Sequence, residues 1–344
     1  MKIDQIDNKE FKLVRSKNYN YNFNKKSGFF MRWGKTTEDD PDFAPFPEIL
    51  DIEISTICSQ NCAFCYKSNI YKGKNMTFDT FKVILDKMPF LTQIAIGVGD
   101  VNANPDLCKI IEYTRQKDII PNMTINGYNL TEELADFFNK NLGAISVSCY
   151  DKEITYNTIE LLLKKGLKQV NLHQILAKET IDKVKERFND FKKDQRLLGL
   201  NSILLLSLKK KGRGLNGFNS VNQEEFTELI KLGLSEDIPL AFDSCSAVKF
   251  LKAIEGHKKE KELQMMTETC ESGRMSAYIN VEGEFFPCSF IEGEILKYDD
   301  WTKGLDVLNS KFTKDIWNNE KTLRFRNKNL ECFRNNISCS HYNI

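Results

Sequence analysis

ILDIEISTICSQNCAFCY, residues 49–66, joins a strand-like run to three closely spaced thiols. Ile49–Ile54 is an apolar strand-like run. Cys58, Cys62 and Cys65 follow in the spacing CxxxCxxC, with Tyr66 directly after. A structural zinc site normally closes with four protein ligands, whereas an iron-sulfur cluster held by three thiolates leaves one iron open to a small molecule. No fourth cysteine lies near this loop.

Downstream, strand-like runs alternate with helix-length amphipathic stretches. The strands are ILDIEI, TQIAIGV, PNMTI, AISVSC, QVNLHQI and SILLLSL. Between them lie FDTFKVILDKM, PDLCKIIEYTRQK, TEELADFFNK, YNTIELLLKKG and a charged stretch from Glu179 to Arg196. Strand-then-helix units in succession predict an α/β fold with a parallel sheet and outer helices, closed or nearly closed as a barrel. Its chemistry belongs at the carboxyl ends of the strands.

Three segments follow from this pattern. Residues 1–47 hold an aromatic hairpin, YNYNFNKKSGFFMRWG, and a linker in which Pro41, Pro45 and Pro47 bar a continuous helix or inner strand. Residues 48–243 form the barrel. Residues 244–344 form a smaller, cysteine-containing domain.

The chain has 344 residues and is 41% hydrophobic, enough for a sizeable core. With 49 basic against 48 acidic residues, no whole-protein field steers it toward nucleic acid or anionic lipid. No apolar run approaches the roughly 20 residues that cross a bilayer, and the polar start is unlike a signal peptide. A cytoplasmic protein without a membrane partner is expected. Ten cysteines in a reducing compartment read first as metal ligands.

CSQNCAFCY after a first strand resembles the radical S-adenosylmethionine (radical SAM) superfamily, whose motif CxxxCx(aromatic)C has Phe64 at the aromatic position. The resemblance implies a partial (β/α)6 TIM-type barrel and a [4Fe-4S] cluster on Cys58, Cys62 and Cys65, with S-adenosylmethionine on the open iron. Such enzymes cleave that cofactor reductively to a 5′-deoxyadenosyl radical that abstracts hydrogen from substrate. Phe64 and Tyr66 flank the cofactor in this reading. IGVGDVNANPDL matches the family's glycine-glycine-acid motif, with Gly99 allowing close backbone approach and Asp100 replacing Glu as acceptor for the methionine ammonium. Asn126, in MTINGYNL, and Ser148, in ISVSCYD, stand at positions that contact the cofactor in the family; a turn former and a strand-end hydroxyl are the plainer readings. His173 reads as a satisfied core histidine.

Further on, Cys270, Gly283 and Cys288 reproduce the opening of the family's SPASM and twitch extensions. INVEGEFFPC reads as a hairpin that brings two thiolates together, and Cys332 and Cys339 complete four for a second, auxiliary [4Fe-4S] cluster. The tail favours the shorter, twitch-like form, and a zinc site on the same cysteines is the alternative. Cys108 reads as a buried small hydrophobe. Cys245 is an alternate ligand, a hydrogen-atom donor or an inert thiol. LKKKGRGLNG resembles a family segment in which an Arg, here Arg213, approaches the S-adenosylmethionine carboxylate or the substrate.

The reading is a radical SAM oxidoreductase acting on a ribosomally made peptide or protein, with an electron donor such as flavodoxin or ferredoxin. The segment before the linker is short for the winged peptide-recognition domain that many such maturases carry. A small-molecule substrate such as a nucleoside, sugar or amino acid derivative is the alternative. A non-catalytic iron-sulfur or zinc protein is the reading from another class.

Overall fold

The computed structural model describes residues 3–337 and 339; residues 1–2, 338 and 340–344, which the terminal segments include, lie outside the described residues. Four strands come first: β1 (Asp4–Asp7), β2 (Phe11–Arg15), β3 (Asn20–Asn24) and β4 (Phe30–Trp33), an antiparallel sheet in chain order. The expected aromatic hairpin is β3 and β4, turning at Asn24–Gly28; β1 and β2, whose residues carry no aromatic pattern, enlarge it to four strands.

Six strand-helix units follow: β5 (Ile49–Glu53) and α1 (Phe78–Asp86), β6 (Gln93–Gly97) and α2 (Leu107–Gln116), β7 (Ile120–Ile125) and α3 (Glu132–Asn141). The series continues with β8 (Ile145–Ser148) and α4 (Lys152–Lys164), β9 (Val170–Leu176) and α5 (Ile181–Lys193), and β10 (Ser202–Ser207) and α6 (Gln223–Ser235). A seventh parallel strand, β11 (Leu240–Phe242), ends the run. The helices start where side-chain oxygens accept the free N–H groups of the first turn, at Thr77, Thr131, Asp151 and Asn222.

Alternation decides what faces the barrel lumen. Along β9, Val170, Leu172, Gln174 and Leu176 are buried, while His173 and Ile175 line the internal cavity. Along β5, Leu50 and Ile52 pack in the hydrophobic core, and Asp51 and Glu53 line the same cavity, which Ile52 also reaches.

The last segment contains α7 (Ala247–Ala253), α8 (Glu260–Met265), β12 (Ser276–Ile279), β13 (Glu284–Phe286), β14 (Glu294–Ile295), β15 (Asp300–Trp301), β16 (Leu305–Asp306) and α9 (Glu320–Arg334). β12 lies parallel to β5, with Ser276 opposite Ile49, and β13 and β16 follow antiparallel. The sheet order is β11-β10-β9-β8-β7-β6-β5-β12-β13-β16. Hence the hairpin of the C-terminal segment continues the barrel sheet. It covers the edge of β5, whose backbone groups would otherwise stay unpaired.

The N-terminal sheet packs at the amino ends of the barrel strands. Lys12 Nζ, on a nearly fully buried side chain, donates to Leu91 O at 2.8 Å, and Tyr21 Oη donates to Phe90 O at 2.9 Å. Tyr19 and Arg32 hold Glu48, the residue before β5. The sheet thus floors the barrel at the end remote from the cysteine loop.

Candidate active site

The loop carrying Cys58, Cys62 and Cys65 leaves the carboxyl end of β5 and is held by three neighbouring loops. Gly99 lets the first of them in: a Cβ there would stand 2.1 Å from Ile57 O. Asp100 N donates to that same carbonyl at 2.8 Å, and Asp100 Oδ2 accepts Ser59 N at 2.9 Å. Asn126 Nδ2, from the second loop, reaches Asp100 Oδ1 at 2.9 Å. Arg213 supplies the third contact, with Nε on Cys62 O at 2.8 Å, Nη1 on Asn69 O at 3.0 Å and its own backbone N on Cys65 O at 3.0 Å. Gly212, at φ +55°, makes this possible, since a Cβ would meet Tyr66 O at 2.5 Å.

These contacts give Asp100 and Arg213 a bracing role in the loop. Asp100 does not line the cavity; both of its oxygens tie loops together. Arg213 does line it, but its guanidinium is spent on loop carbonyls.

The three thiols converge. Burial raises the pKa of Cys58, and it pushes Cys62 up to about 11, with Cys58 and Cys65 adding negative charge beside it. They are soft donors around one rim of a cavity of roughly 460 Å³, and this donor set suits an iron-sulfur cluster. Phe64, Tyr66, Gly99, Asn126 and Ser148 all line the cavity. So does His173, in place of the expected core position; burial pulls its imidazole down to about 4, so it is neutral at pH 7. Asp51 lines the cavity too, its carboxyl raised to about 6 by burial.

A second group of thiols lies beyond β12. Cys270 is lowered to about 6 by hydrogen bonds from Cys245, Ser272 and Asn329, the first being the strongest. Burial pushes Cys288 up to about 12, with Cys270 and Cys339 as charged neighbours. Cys332 is buried on α9, where burial raises it beside Lys328 and Glu331. Cys108 is exposed on α2, so it is not the core thiol expected, and Cys149 is mostly buried near Arg187.

Between the two thiol groups runs a polar seam that the sequence reading missed. Lys67 lies 3.2 Å from Glu53, donates to Tyr278 Oη at 2.6 Å and also pairs with Glu292. Lys209 Nζ meets Asp243 Oδ2 at 2.6 Å. The only signal in the sequence is charge where a barrel strand or its end should be apolar, as in ILDIEI and LKKK.

A parallel barrel with three thiols at the end of its first strand, joined to a hairpin with further thiols, defines an iron-sulfur enzyme. Residues 52–193 match the model of the radical SAM superfamily, and residues 270–341 match that of an iron-sulfur cluster-binding domain, SPASM. The chain belongs to the radical SAM superfamily and carries a C-terminal SPASM-type domain. No curated protein matches it in sequence. Among solved structures, it is similar to Streptococcus suis SuiB at TM-score 0.69 and 11% identity, covering 93% of this chain and 90% of that one. SuiB bound to precursor peptide SuiA aligns at TM-score 0.65 and 12% identity, over 83% of this chain and 68% of that chain. The anSMEcpe structure with bound AdoMet and Cp18Cys peptide aligns at TM-score 0.57 and 16% identity, over 85% and 86% of the two chains. At these identities the likeness is one of fold. S-adenosylmethionine and iron-sulfur clusters are the cofactors of this enzyme class.

Proposed function

We propose that this enzyme abstracts a hydrogen atom from one residue of a ribosomally made peptide. The observation that carries this reading is the continuity between the two thiol groups. The cavity at Cys58, Cys62 and Cys65 shares Asp51, Asp243, Tyr278, Ser289 and Phe290 with the cavity beside Cys245 and Cys288. A substrate side chain held there has both sites within reach. Exposed Ile70, Tyr71 and Leu215 lie on the loops beside the cysteine motif, and Tyr150 is both cavity-lining and partly exposed. An apolar rim of this kind suits a peptide better than a polar nucleoside.

In this reading Cys58, Cys62 and Cys65 hold the cluster that binds S-adenosylmethionine, and the C-terminal thiols hold an auxiliary cluster. The bound cofactors supply the hydrogen-abstracting 5′-deoxyadenosyl group. The chain's own residues do the rest: Asp100, Asn126 and Arg213 fix the loop, Phe64 and Tyr66 wall the cavity against water, and Asp51 stands ready to take a proton from substrate. A small one-electron carrier such as flavodoxin or ferredoxin delivers electrons in a reducing cytoplasm, where ten free thiols stay reduced.

The test is anaerobic reconstitution, an iron count, and incubation with reductant, S-adenosylmethionine and a short peptide encoded beside this chain's gene. About eight irons per chain, 5′-deoxyadenosine release and a mass change on one peptide residue are expected. Bound zinc without cleavage would sink the reading. Turnover of a nucleoside or sugar, with every such peptide inert, would transfer the chemistry to small molecules.

A further inference from the structure

Five cysteines, Cys245, Cys270, Cys288, Cys332 and Cys339, stand near one another for the four ligand positions of a cubane cluster. Cys332 belongs to the set by its place in the sequence, but the geometry favours another member. The Cys245 and Cys270 thiols are electrostatic neighbours, although 25 positions separate them. Cys245 also lines, with Cys288, Ser272 and Ser289, a cavity of roughly 250 Å³.

Its backbone is firmly anchored. Cys245 sits in the single turn Ser244–Ser246 that precedes α7. Ser246 N donates to Asp243 O at 2.8 Å, and Ser246 Oγ donates to Asp243 Oδ1 at 2.6 Å. Asp243 Oδ2 in turn accepts Lys209 Nζ at 2.6 Å and Ser207 N at 3.2 Å, which fixes the turn to the carboxyl end of β10. On α9, by contrast, it is Asn329 that reaches the Cys270 sulfur, at 3.6 Å, while donating to Ser272 O at 2.8 Å. Cys332 lies almost one turn further on, beside Lys328 and Glu331 of its own helix, and does not line the cavity that Cys245 and Cys288 share.

We propose that Cys245, with Cys270, Cys288 and Cys339, is the fourth thiolate of the auxiliary cluster, and that Cys332 is not a ligand. This rests on the reading of the C-terminal thiols as an iron-sulfur site. The assignment makes the auxiliary cluster a joint product of barrel and C-terminal segment, since Cys245 is carried by the turn after the last barrel strand. Asp243, two residues before it, lines both cavities. The cluster is thereby fastened to the wall of the substrate cavity instead of hanging on the C-terminal hairpin alone.

The test uses full-length protein in which Cys58, Cys62 and Cys65 are all replaced by Ala, so that only the auxiliary site binds iron. This parent is reconstituted and examined by iron count and by electron paramagnetic resonance after reduction. About four irons per chain are expected; a parent without iron would end the auxiliary-cluster reading itself. In this background Cys245→Ala should lose the cubane signal or convert it to that of a three-iron cluster. Cys245→Ser, which keeps an oxygen donor and the side-chain volume, should keep iron but shift the g values. Cys332→Ala should keep the parent's iron and spectrum. Circular dichroism identifies any variant that has failed to fold, and the serine variant then decides. Parent-like spectra for both Cys245 variants would overturn the assignment, as would loss of the cluster in Cys332→Ala.

Discussion

Asn126 Nδ2 donates to Asp100 Oδ1 at 2.9 Å, so the turn after β7 is tied to the turn after β6 directly beneath the cysteine loop. The other oxygen of Asp100 accepts Ser59 N at 2.9 Å, one residue past Cys58. One carboxylate therefore sets the distance between three loops of the site. Asp100→Ala leaves two donors without their partner, which costs about 1–3 kcal/mol for such groups. The expected outcome is fewer irons bound at the three-cysteine site and a lower melting temperature. An iron count in a Cys270→Ala/Cys288→Ala background isolates the effect, and unchanged loading there would refute the positioning role.

The two thiol groups should separate by function. Cys65→Ala is expected to abolish 5′-deoxyadenosine release, because the cluster that binds S-adenosylmethionine loses a ligand. Cys288→Ala should still release 5′-deoxyadenosine but form no modified peptide. Chromatography of the nucleoside and mass spectrometry of the peptide read the two steps independently. Full product formation by Cys288→Ala would make the second site structural.

Asp51 should make stability depend on pH. Its folded pKa of about 6 lies above the ordinary 3.8, so the fold favours the neutral carboxyl. That contribution is complete below about pH 4 and disappears as pH climbs through 6. Asp51→Asn, neutral throughout, should then be the more stable protein at pH 7.5, by on the order of 2–3 kcal/mol, with the advantage gone near pH 4. Melting curves of both proteins at the two pH values give the comparison. The same variant should slow peptide modification if Asp51 accepts the substrate proton.

Arg32 bridges the floor of the barrel to the second thiol group. Its Nη1 lies 2.9 Å from Glu48 Oε2 and 2.8 Å from Glu271 Oε1, and Glu271 directly follows Cys270. Glu48 is fully buried, and burial raises it to about 7 against the pull of Arg32. Arg32→Met should destabilise the protein by about 3–5 kcal/mol, the usual result of stranding a buried charge. Adding Glu48→Gln should recover part of the loss. Equal melting temperatures for wild type and Arg32→Met would contradict the bridge.

Much of the barrel was legible because its signals are local. The apolar strand-like runs ILDIEI, QVNLHQI and SILLLSL, and the apolar faces of the stretches between them, are each set within a few residues. The three-thiol loop was legible for the same reason: a strand end places it, and CxxxCxxC fixes its donors. The enlarged N-terminal sheet was less so, since β2, FKLVR, looks like a charged segment until the buried Lys12 amine finds the carbonyl of Leu91.

What the sequence by itself determined, then, is the series of parallel strand-helix units, the open three-thiol loop at the end of β5 and a hairpin with two further thiols. Only the tertiary structure decided that β12 continues the barrel sheet beside β5, that Asp100 and Arg213 brace the cysteine loop, and that Cys245 shares a cavity with Cys288. The physical reason is range. Strand and helix periods depend on neighbours in the chain, whereas the partner of a buried carboxylate, guanidinium or thiol is whichever group the packed fold brings within hydrogen-bonding distance. Arg32 and Glu271 are 239 positions apart, and no local pattern announces their meeting.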